Sequence, residues 1–371
     1  MFSSDPTIVR WQSPACQRMK EYGELFDKLF IFLLIRERAP AINISDKIQV
    51  KVFSGRITRF ISCAAALYKI VKKEDISVIT TQEIEHALIV YILKPVLRAK
   101  WQMQIHTDIF SPYYAASSFL NYLRGFIGKF LIPRADSIRV VSERIKHSII
   151  KIFPSAKLNI TVLPIFVDTE RFSKLLPSFD LHEKYKKFSF IILMVSRISH
   201  EKNIGLALEA FAQVVKKEPN AGLVIVGNGP ELGNFKSQSA SWRTNLKLDD
   251  KTRFEGWVDD LASYYKSADL YLLTSDFEGY GRTVIEALAC NLPVLMTDVG
   301  VAGEVVIDRN NGLIVPVGES MGIAAEILRL IQDKKAYEEL KKNSCLLAPM
   351  PSKEEYLRKF KESLEMNGNF N

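Results

Sequence analysis

The sequence predicts an α/β protein made of two domains. Its 371 residues are more than a typical single core holds, which suggests two domains. Short apolar runs that are typical of strands alternate with segments of helical spacing, as in proteins built on parallel sheets. One such unit, from Ala268 to Cys290, consists of a strand, a glycine loop and a helix. We expect the functional site of the protein to be organised around this unit.

The secondary structure of the first half of the chain is predicted from its apolar runs and their spacing. The predicted strands are residues 29–35, 46–53, 76–80, 101–105, 135–142 and 160–163, and the predicted helices are 13–26, 57–71, 87–94 and 143–152. Residues 81–83 form a polar tip after a strand, a place that usually faces the ligand in open α/β sheets. The apolar, aromatic segment 118–132 is too short to span a bilayer. It is either a helix lying in a membrane interface or a buried helix of the first domain.

The second half follows the same alternation. The predicted strands are residues 189–195, 222–226, 253–255, 268–274, 293–297 and 312–317, and the predicted helices are 204–217, 283–290, 319–334, 336–343 and 352–365. Residues 169–187 are charged and are interpreted as irregular. The sequence therefore predicts a first domain at 1–168, an interdomain link at 169–187, a second domain at 188–345 and a terminal helical segment at 346–371.

Two carboxylates bracket the glycine loop. Gly279 and Gly281 allow a tight turn between a buried strand and a helix. The start of such a helix gathers free backbone N–H groups and the positive end of the helix dipole, which favours a phosphate. Glu278 lies in the loop and Glu286 in the first turns of the helix, with seven residues between them. A surface turn before an ordinary helix is the alternative interpretation.

Two further loops follow strand ends in the second half. Arg197 and Lys202 come after the strand 189–195, where a guanidinium fork and an ammonium suit a diphosphate. A charged surface loop is the alternative. The strand 222–226 leads to a G-x-G turn that ends at Gly229. Leu232 stands where a dinucleotide fingerprint needs its third glycine, so that fingerprint fails.

These motifs resemble retaining glycosyltransferase family 4. The resemblance rests on E-G-Y-G-R-T-V-I-E-A-L-A-C-N-L-P-V from Glu278 onward, on R-x4-K at Arg197 and Lys202, and on G-N-G-P-E ending at Glu231. It is strong from about 190 to 317 and weak before 53, where residues 1–5 are similar only to the end of the first strand. The turn at 164–168 also lacks the Asn and Gly of the family. The resemblance implies the GT-B fold, in which two Rossmann-like domains face each other across a cleft and a terminal helix returns to the first domain.

The resemblance also implies roles for individual residues. It places Glu278 against the donor sugar, Glu286 on the ribose hydroxyls, and Arg197 and Lys202 on the diphosphate. His106, where a strand meets its loop, is expected near the donor sugar. The remaining nucleotide contacts are expected from Gly229 beside the nucleotide, Val258 at the base, and Gly279, Tyr280, Gly281 and Thr283 in the loop and helix start.

The implied reaction is transfer of a sugar from a nucleotide-sugar to an acceptor with retention of configuration, without a metal or another cofactor. No D-x-D metal motif stands where one would be needed. In the mechanism usually drawn for the family, the acceptor attacks on the same face and the leaving diphosphate helps take its proton, so no carboxylate is assigned as a base. Two alternatives remain at this point: a GT-B enzyme that does not transfer, such as an epimerase or phosphorylase, and an inactive nucleotide-sugar-binding subunit.

Charge is unevenly distributed along the chain. Residues 1–187 hold 29 Lys and Arg against 17 Asp and Glu, a net charge of +12, while residues 188–371 hold 21 against 25, a net charge of −4. A basic half suggests contact with an anionic surface. Because no nucleic-acid motif is visible, an anionic membrane leaflet or a lipid-linked or polysaccharide precursor is the expected partner.

The remaining features concern location. The sequence shows no spanning apolar run and no secretory signal at its start. Its four cysteines are scattered and fit no metal spacing. We therefore expect a cytoplasmic protein, peripheral on the inner face of the membrane. The donor sugar, the base and the acceptor are not specified by any of these patterns.

Overall fold

The computed structural model describes residues 1–233, 235, 248, 250–348 and 350–365. The chain divides into two compact units. The first unit comprises Met1–Pro164 and the terminal helix Lys353–Glu365, and the second comprises Ile165–Ser352. Each unit has its own sheet or sheets and its own buried core.

The first unit contains two four-stranded sheets. The first sheet has the order β1-β2-β4-β3 and the second the order β5-β6-β7-β8, and β1 lies against β5. All pairings are parallel except that of β3 with β4. The strands are β1 (Phe2–Ser3), β2 (Leu29–Ile35), β3 (Ile42–Asn43), β4 (Ile48–Ser54), β5 (Val78–Thr81), β6 (Lys100–Ile105), β7 (Ser137–Val140) and β8 (Ile160–Val162).

The second unit contains a six-stranded parallel sheet. Its order is β11-β10-β9-β12-β13-β14, so the late strands β12 to β14 and the early strands lie on opposite sides of β9. The strands are β9 (Phe190–Val195), β10 (Ala221–Val226), β11 (Thr252–Gly256), β12 (Leu270–Leu273), β13 (Val294–Thr297) and β14 (Leu313–Val315). Such a reversal of strand order is where open α/β sheets bind their ligands.

Helices connect the strands throughout. In chain order they are α1 (Pro14–Gly23), α2 (Thr58–Lys73), α3 (Ile84–Leu93), α4 (Pro112–Ser117), α5 (Phe119–Leu131), α6 (Glu143–Ile152), α7 (Thr169–Lys174), α8 (Leu181–Lys184), α9 (Ile204–Lys217), α10 (Leu261–Ser267), α11 (Arg282–Ala289), α12 (Ser320–Gln332), α13 (Lys334–Asn343) and α14 (Lys353–Glu365). In the second unit α9 packs against α12.

Burial explains why these segments are strands. Strand β9 is buried along its whole length, because a parallel strand inside a sheet is covered on both faces. Its side chains join a core with the apolar faces of α9 and α12, including Phe211 and Ile327. Burying one such side chain contributes about 1.5–3 kcal/mol, so the core holds the strand ends in fixed positions.

The terminal helix α14 packs in the first unit. The rings of Phe360 and Tyr22 stack with their centroids 4.3 Å apart. The Arg139 guanidinium donates to the Tyr356 hydroxyl at 3.1 Å. The Gln102 amide donates to the carbonyl of Ser363 at 2.7 Å. These contacts attach the last described helix to strands β6 and β7.

The segment 169–187 was predicted from the sequence to be irregular, and this prediction is wrong. The segment carries α7 and α8, and both pack within the second unit. The Phe172 ring contacts the Tyr265 ring edge to face at 5.8 Å, and the Ser178 amide donates to Ser263 Oγ at 2.7 Å. The structure also adds β3, α4 and α10, which the sequence analysis did not predict.

Candidate active site

Three loops of the second unit lie together at one edge of its sheet. They follow β10, β9 and β12, which are neighbouring parallel strands, so the loops start at the same carboxyl edge. The loop after β9 carries Arg197 and Lys202, the loop after β10 carries Gly229, and the loop after β12 carries Glu278. Sequence motifs that are up to 81 residues apart, from Arg197 to Glu278, are therefore brought to one place.

Lys202 and Glu278 form an ion pair between two of these loops. The Lys202 ammonium donates to Glu278 Oε1, and the Ser275 hydroxyl donates to the same oxygen at 2.8 Å. The side chains of Lys202 and Glu278 are only 19% and 11% exposed. A charge pair shielded in this way interacts more strongly than a surface pair. Arg197, in contrast, is exposed to solvent.

Hydrogen bonds hold the loop of Lys202 against the loop of Glu278. The Asp276 amide donates to the carbonyl of Glu201 at 2.9 Å, and the Asn203 amide group donates to Asp276 Oδ1 at 2.8 Å. The Thr274 hydroxyl lies 3.0 Å from the carbonyl oxygens of both Lys202 and Asn203. Asn203 has a φ of 44° and its side chain caps the start of α9. The backbone at Lys202 is thus fixed by contacts with the loop after β12.

Glycines let the loop after β10 approach the loop after β9. A Cβ on Gly229 would lie 2.1 Å from the carbonyl oxygen of Ile198, and a Cβ on Gly227 would lie 1.9 Å from that of Ser196. The Ile198 amide donates to the carbonyl of Asn228 at 3.0 Å. Because backbone meets backbone here, no side chain fits at Gly229.

Helix α11 begins at the glycine loop. Gly281, at its N-cap, has a φ of 98°, and no side chain caps the helix. The Val284 amide donates to the carbonyl of Gly281 at 3.1 Å, while a glycine cap supplies no side-chain acceptor for the other N–H groups of the first turn. The Tyr280 side chain is buried, and Gly300 lies so close that its Cβ would meet the Tyr280 carbonyl at 2.5 Å. The loop therefore presents backbone atoms, with Gly279 buried inside it.

Glu286 lies on α11 and is 6% exposed. The Tyr265 hydroxyl donates to its Oε2 at 3.0 Å, and the Arg282 guanidinium lies 3.8 Å from its Oε1. Burial raises the pKa of this carboxyl, while Arg282, the Tyr265 hydrogen bond and Arg171 act in the opposite direction. A buried carboxylate with few donors can accept further hydrogen bonds from a ligand.

A second tyrosine connects the start of α11 to strand β9. The Tyr271 hydroxyl donates to Thr283 Oγ1 at 2.6 Å and lies 3.2 Å from the carbonyl oxygen of Val195. The Tyr271 hydroxyl therefore connects Thr283, at the helix start, to Val195 at the end of β9, two residues before Arg197. Neither tyrosine was identified from the sequence. Tyr271 lies in an apolar run, where a tyrosine has no distinct pattern, and Tyr265 lies on α10, a helix that was not predicted.

Val258 and His106 follow other strands, one in each unit. Val258 follows β11, the edge strand beside β10, and is partly exposed next to the exposed Trp257. His106 belongs to the first unit and follows β6. Burial, with Arg139 and Arg18 nearby, lowers the pKa of His106 to about 3, and its Nε2 is buried without a partner among the described residues. Asp108 holds the following loop by accepting from the Phe110 amide at 3.0 Å and the Ser148 hydroxyl at 2.8 Å.

Two other features are absent from the described part of the chain. In the residues described here, no three His, Cys, Asp or Glu side chains lie close enough to hold a metal ion. None of the helices described in the structure is both long enough and apolar enough to cross a membrane.

Comparison with known proteins identifies the family. The family model for glycosyl transferases group 1 matches residues 179–345, and that for glycosyltransferase family 4 matches residues 32–171. Together the two matches include every loop described above.

Curated relatives and a solved structure agree with these matches. The chain is 26% identical to the N-acetyl-alpha-D-glucosaminyl L-malate synthase of Bacillus anthracis, over 76% of this chain and 72% of that one. It is 24% identical to the UDP-Gal:alpha-D-GlcNAc-diphosphoundecaprenol alpha-1,3-galactosyltransferase of Escherichia coli, over 84% and 82%. The crystal structure of Anabaena HepE in complex with UDP-glucose has a similar fold, with a TM-score of 0.73 and 19% identity over 98% and 97% of the two chains. The chain is therefore a GT-B glycosyltransferase and belongs to glycosyltransferase family 4.

Proposed function

We propose that the protein transfers a sugar from a nucleotide diphosphate-sugar to an acceptor hydroxyl with retention of anomeric configuration and without a metal ion. The observation that carries this proposal is the shielded Lys202–Glu278 pair beside the uncapped start of α11. Positive charge and free N–H groups at one point suit a diphosphate, and a carboxylate next to them suits sugar hydroxyls. We also propose that His106, in the first unit, contacts a sugar.

Each loop then has one task. Lys202 and the exposed Arg197 bind the diphosphate, together with the backbone of Gly279 and Gly281. Glu286 accepts hydrogen bonds from the ribose hydroxyls, and Glu278 accepts them from the sugar. The nucleotide lies along Gly229, the base meets the backbone near Val258, and Tyr280 and Thr283 complete the loop and the helix start.

The reaction breaks the bond between the anomeric carbon and the β-phosphate oxygen. The acceptor oxygen forms its bond to that carbon on the same face, and the acceptor proton passes to an oxygen of the leaving diphosphate. Negative charge grows on the diphosphate as the old bond breaks. Lys202, Arg197 and the N-terminus of α11 stabilise that charge, which is the task a divalent ion would otherwise perform.

A donor screen tests the proposal. The protein is incubated with a panel of nucleotide-sugars and with lipid-linked and soluble glycan acceptors, in the presence and absence of EDTA. Release of nucleotide diphosphate and formation of a glycoside in EDTA support the proposal. An epimerised nucleotide-sugar in the absence of acceptor would instead identify a non-transferring enzyme, and no turnover on any donor would identify an inactive binding subunit.

We further propose that the acceptor is lipid-linked or a polysaccharide precursor and that the protein works at the cytoplasmic face of an anionic membrane. The galactosyltransferase relative named above is named for a diphosphoundecaprenol-linked acceptor.

Helix α5 carries three exposed aromatic side chains: Phe119 is 80% exposed, Tyr122 is 60% exposed and Phe126 is 67% exposed. The Arg134 guanidinium lies 3.8 Å from the Phe130 ring centroid at the end of the same helix. Aromatic side chains with basic neighbours are typical of an interfacial helix. All four cysteines are free, as expected in a reducing compartment.

Vesicle binding tests this second proposal. Vesicles containing phosphatidylglycerol should bind the protein at low salt, and binding should fall as salt rises because screening weakens the attraction. Replacing Phe119 and Phe126 together by Ser should reduce binding by at least tenfold. Leu176→Ser is the matched control, since Leu176 is 87% exposed but lies in the second unit. Equal binding of the double variant and wild type would refute a role for α5.

A further inference from the structure

Arg282 places a cation at the positive end of a helix dipole. It is the first residue of α11, and no acidic residue stands in the first turn of that helix. A cation at this end destabilises a helix, whereas an anion would stabilise it. The N-cap, Gly281, offers no side-chain acceptor either. Residues that oppose the local structure in this way are expected at functional sites, where a ligand supplies the missing charge.

The Arg282 guanidinium has donors available for a ligand. Its Nη2 lies 3.8 Å from Glu286 Oε1, which is too long for a hydrogen bond, and the Arg282 side chain is 50% exposed. Among the residues that the structure describes, none accepts a hydrogen bond from this guanidinium. Other surface arginines are engaged: the guanidinium groups of Arg309, Arg329 and Arg358 each donate to a carboxylate at 2.6 or 2.7 Å.

The carboxylate oxygen that faces Arg282 is also open. Glu286 is 6% exposed, and its Oε2 accepts from the Tyr265 hydroxyl at 3.0 Å. Its Oε1 accepts no hydrogen bond from the described part of the chain and remains accessible to solvent. Polar atoms of buried residues are almost always hydrogen-bonded. An open carboxylate oxygen beside an open guanidinium therefore indicates a ligand that has both donors and acceptors.

The spacing along α11 indicates which part of a nucleotide meets Arg282. Glu286 follows Arg282 by four residues, so the two side chains lie on one face of the helix, about 6 Å apart along its axis. In the proposed function Glu286 accepts from the ribose hydroxyls, and the N-terminus of α11 meets the diphosphate. Arg282 lies between these two contacts. The phosphate that is bonded to the ribose is the α-phosphate, and a guanidinium fork matches its oxygens.

We propose that Arg282 binds the α-phosphate of the nucleotide donor. The inference rests on the proposed function and adds to it a side chain that reads the nucleotide next to Glu286. Negative charge grows on the β-phosphate when the bond to the sugar breaks, while the α-phosphate is charged throughout. Arg282 therefore contributes to donor binding rather than to stabilisation of the transition state. This separates its role from that of Lys202.

Titrations with a nucleoside, its monophosphate and its diphosphate test this contact. The uridine, guanosine and adenosine series are compared on the wild type, by calorimetry and, for the weakly binding nucleosides, by NMR. The series with the tightest diphosphate is then used on the variants. Arg282→Met should weaken the monophosphate and the diphosphate equally, by about tenfold or more, because both carry the α-phosphate. Nucleoside affinity should stay unchanged.

Two further variants complete the set. Arg282→Lys keeps the charge without the fork, so its affinities should fall between those of the wild type and Arg282→Met. Arg358→Met is the matched control, since Arg358 and Glu362 form an ion pair with the same order and spacing in the first unit. It should bind all three ligands as wild type. In an active enzyme Arg282→Met should raise the donor KM about tenfold and leave kcat nearly unchanged.

An effect that passes only through Glu286 gives a different pattern. Arg282 lowers the pKa of the Glu286 carboxyl, so its removal leaves less of that group ionised. The nucleoside would then lose affinity as well, and the deficit would shrink as the pH rises from 7 to 9. That pattern, or wild-type affinity of Arg282→Met for the monophosphate, would overturn the assignment.

The Glu286→Gln variant separates this inference from the proposed function. If Glu286→Gln weakens diphosphate binding but Arg282→Met does not, the inference fails and the proposed function stands. If no nucleotide of any series binds the wild type, both are contradicted.

Discussion

Tyr265→Phe should move the pH at which nucleotide affinity is lost. The Tyr265 hydroxyl donates to Glu286 Oε2, and both side chains are buried. We propose that Glu286 must be ionised to accept from the ribose hydroxyls. Affinity should then fall as pH drops through the pKa of this carboxyl. Removing a donor that stabilises the ionised form raises that pKa, so the variant should lose affinity at a higher pH than wild type.

The size of the shift follows from the hydrogen bond. A hydrogen bond to a charged group contributes about 1.5–3 kcal/mol, and one pKa unit corresponds to about 1.36 kcal/mol. The midpoint of the low-pH loss should therefore rise by about one to two pH units. The other groups near Glu286 are unchanged in the variant: Arg282 on α11, Arg171 on α7, Tyr271 on β12 and Cys290 at the end of α11.

Calorimetry with nucleoside diphosphates between pH 5 and 9 measures this shift. Tyr264→Phe is the matched control: Tyr264 is buried on the same helix and donates to a different carboxylate, Glu255 Oε2, at 2.7 Å. It should leave the low-pH midpoint unchanged. In a Glu286→Gln background, Tyr265→Phe should cause no shift at all. An unshifted midpoint in the single variant would show that the Tyr265 hydrogen bond does not set the ionisation of Glu286.

The remaining predictions concern the other loops. Lys202→Ala should lower turnover by at least about 100-fold, while Lys216→Ala on the exposed side of α9 should not; near-normal turnover of the first variant would contradict its role. Gly229→Ala should weaken both nucleotide binding and stability, because its Cβ would lie 2.1 Å from a backbone carbonyl, whereas Gly233→Ala meets nothing within 4 Å and should be neutral. Glu286→Gln should lower diphosphate affinity by about 10- to 100-fold. Burial raises the pKa of the Glu286 carboxyl, and this reduces the stability of the protein at pH values above the pKa that the group has in the unfolded chain. The same variant should therefore have a higher Tm at pH 7. Glu278→Gln should lower turnover but bind free diphosphate almost as wild type, and equal losses of diphosphate affinity in the two glutamine variants would contradict the division of roles.

The family and the GT-B fold predicted from the sequence are confirmed by the comparisons. They could be predicted because the motifs stand at strand ends, where an apolar run followed by glycine or charge gives a clear local signal. Strand β2 and helices α6 and α9 have the predicted bounds, since their apolar spacing is regular. The residue roles remain predictions.

Short helices and the packing beneath the site could not be predicted. Helices α7, α8 and α10 have four to seven residues, too few for a periodic pattern. A weaker signal was present, because each begins after an aspartate whose side chain accepts from the first turn: Asp168, Asp180 and Asp260. Tyr265 lies on one of these helices, so its contact with Glu286 was missed with the helix.

The loop contacts depend on residues that are distant in sequence. Nothing near Asn203 indicates that its side chain meets Asp276, because this bond forms only when β9 and β12 are neighbours in the sheet. The same holds for Glu85 Oε2 and His106 Nε2, two buried atoms with no partner among the described residues, which line one cavity only because β5 and β6 are parallel neighbours.

The most direct test of the central claim is the anomeric configuration of the first product. The donor identified by the screen is incubated with its acceptor in EDTA, and proton NMR follows the anomeric signals during the first turnovers. We expect the new glycoside to appear with the configuration of the donor, while nucleotide diphosphate is released in equal amount. A glycoside of opposite configuration, or a reaction that requires a divalent metal ion, would contradict it.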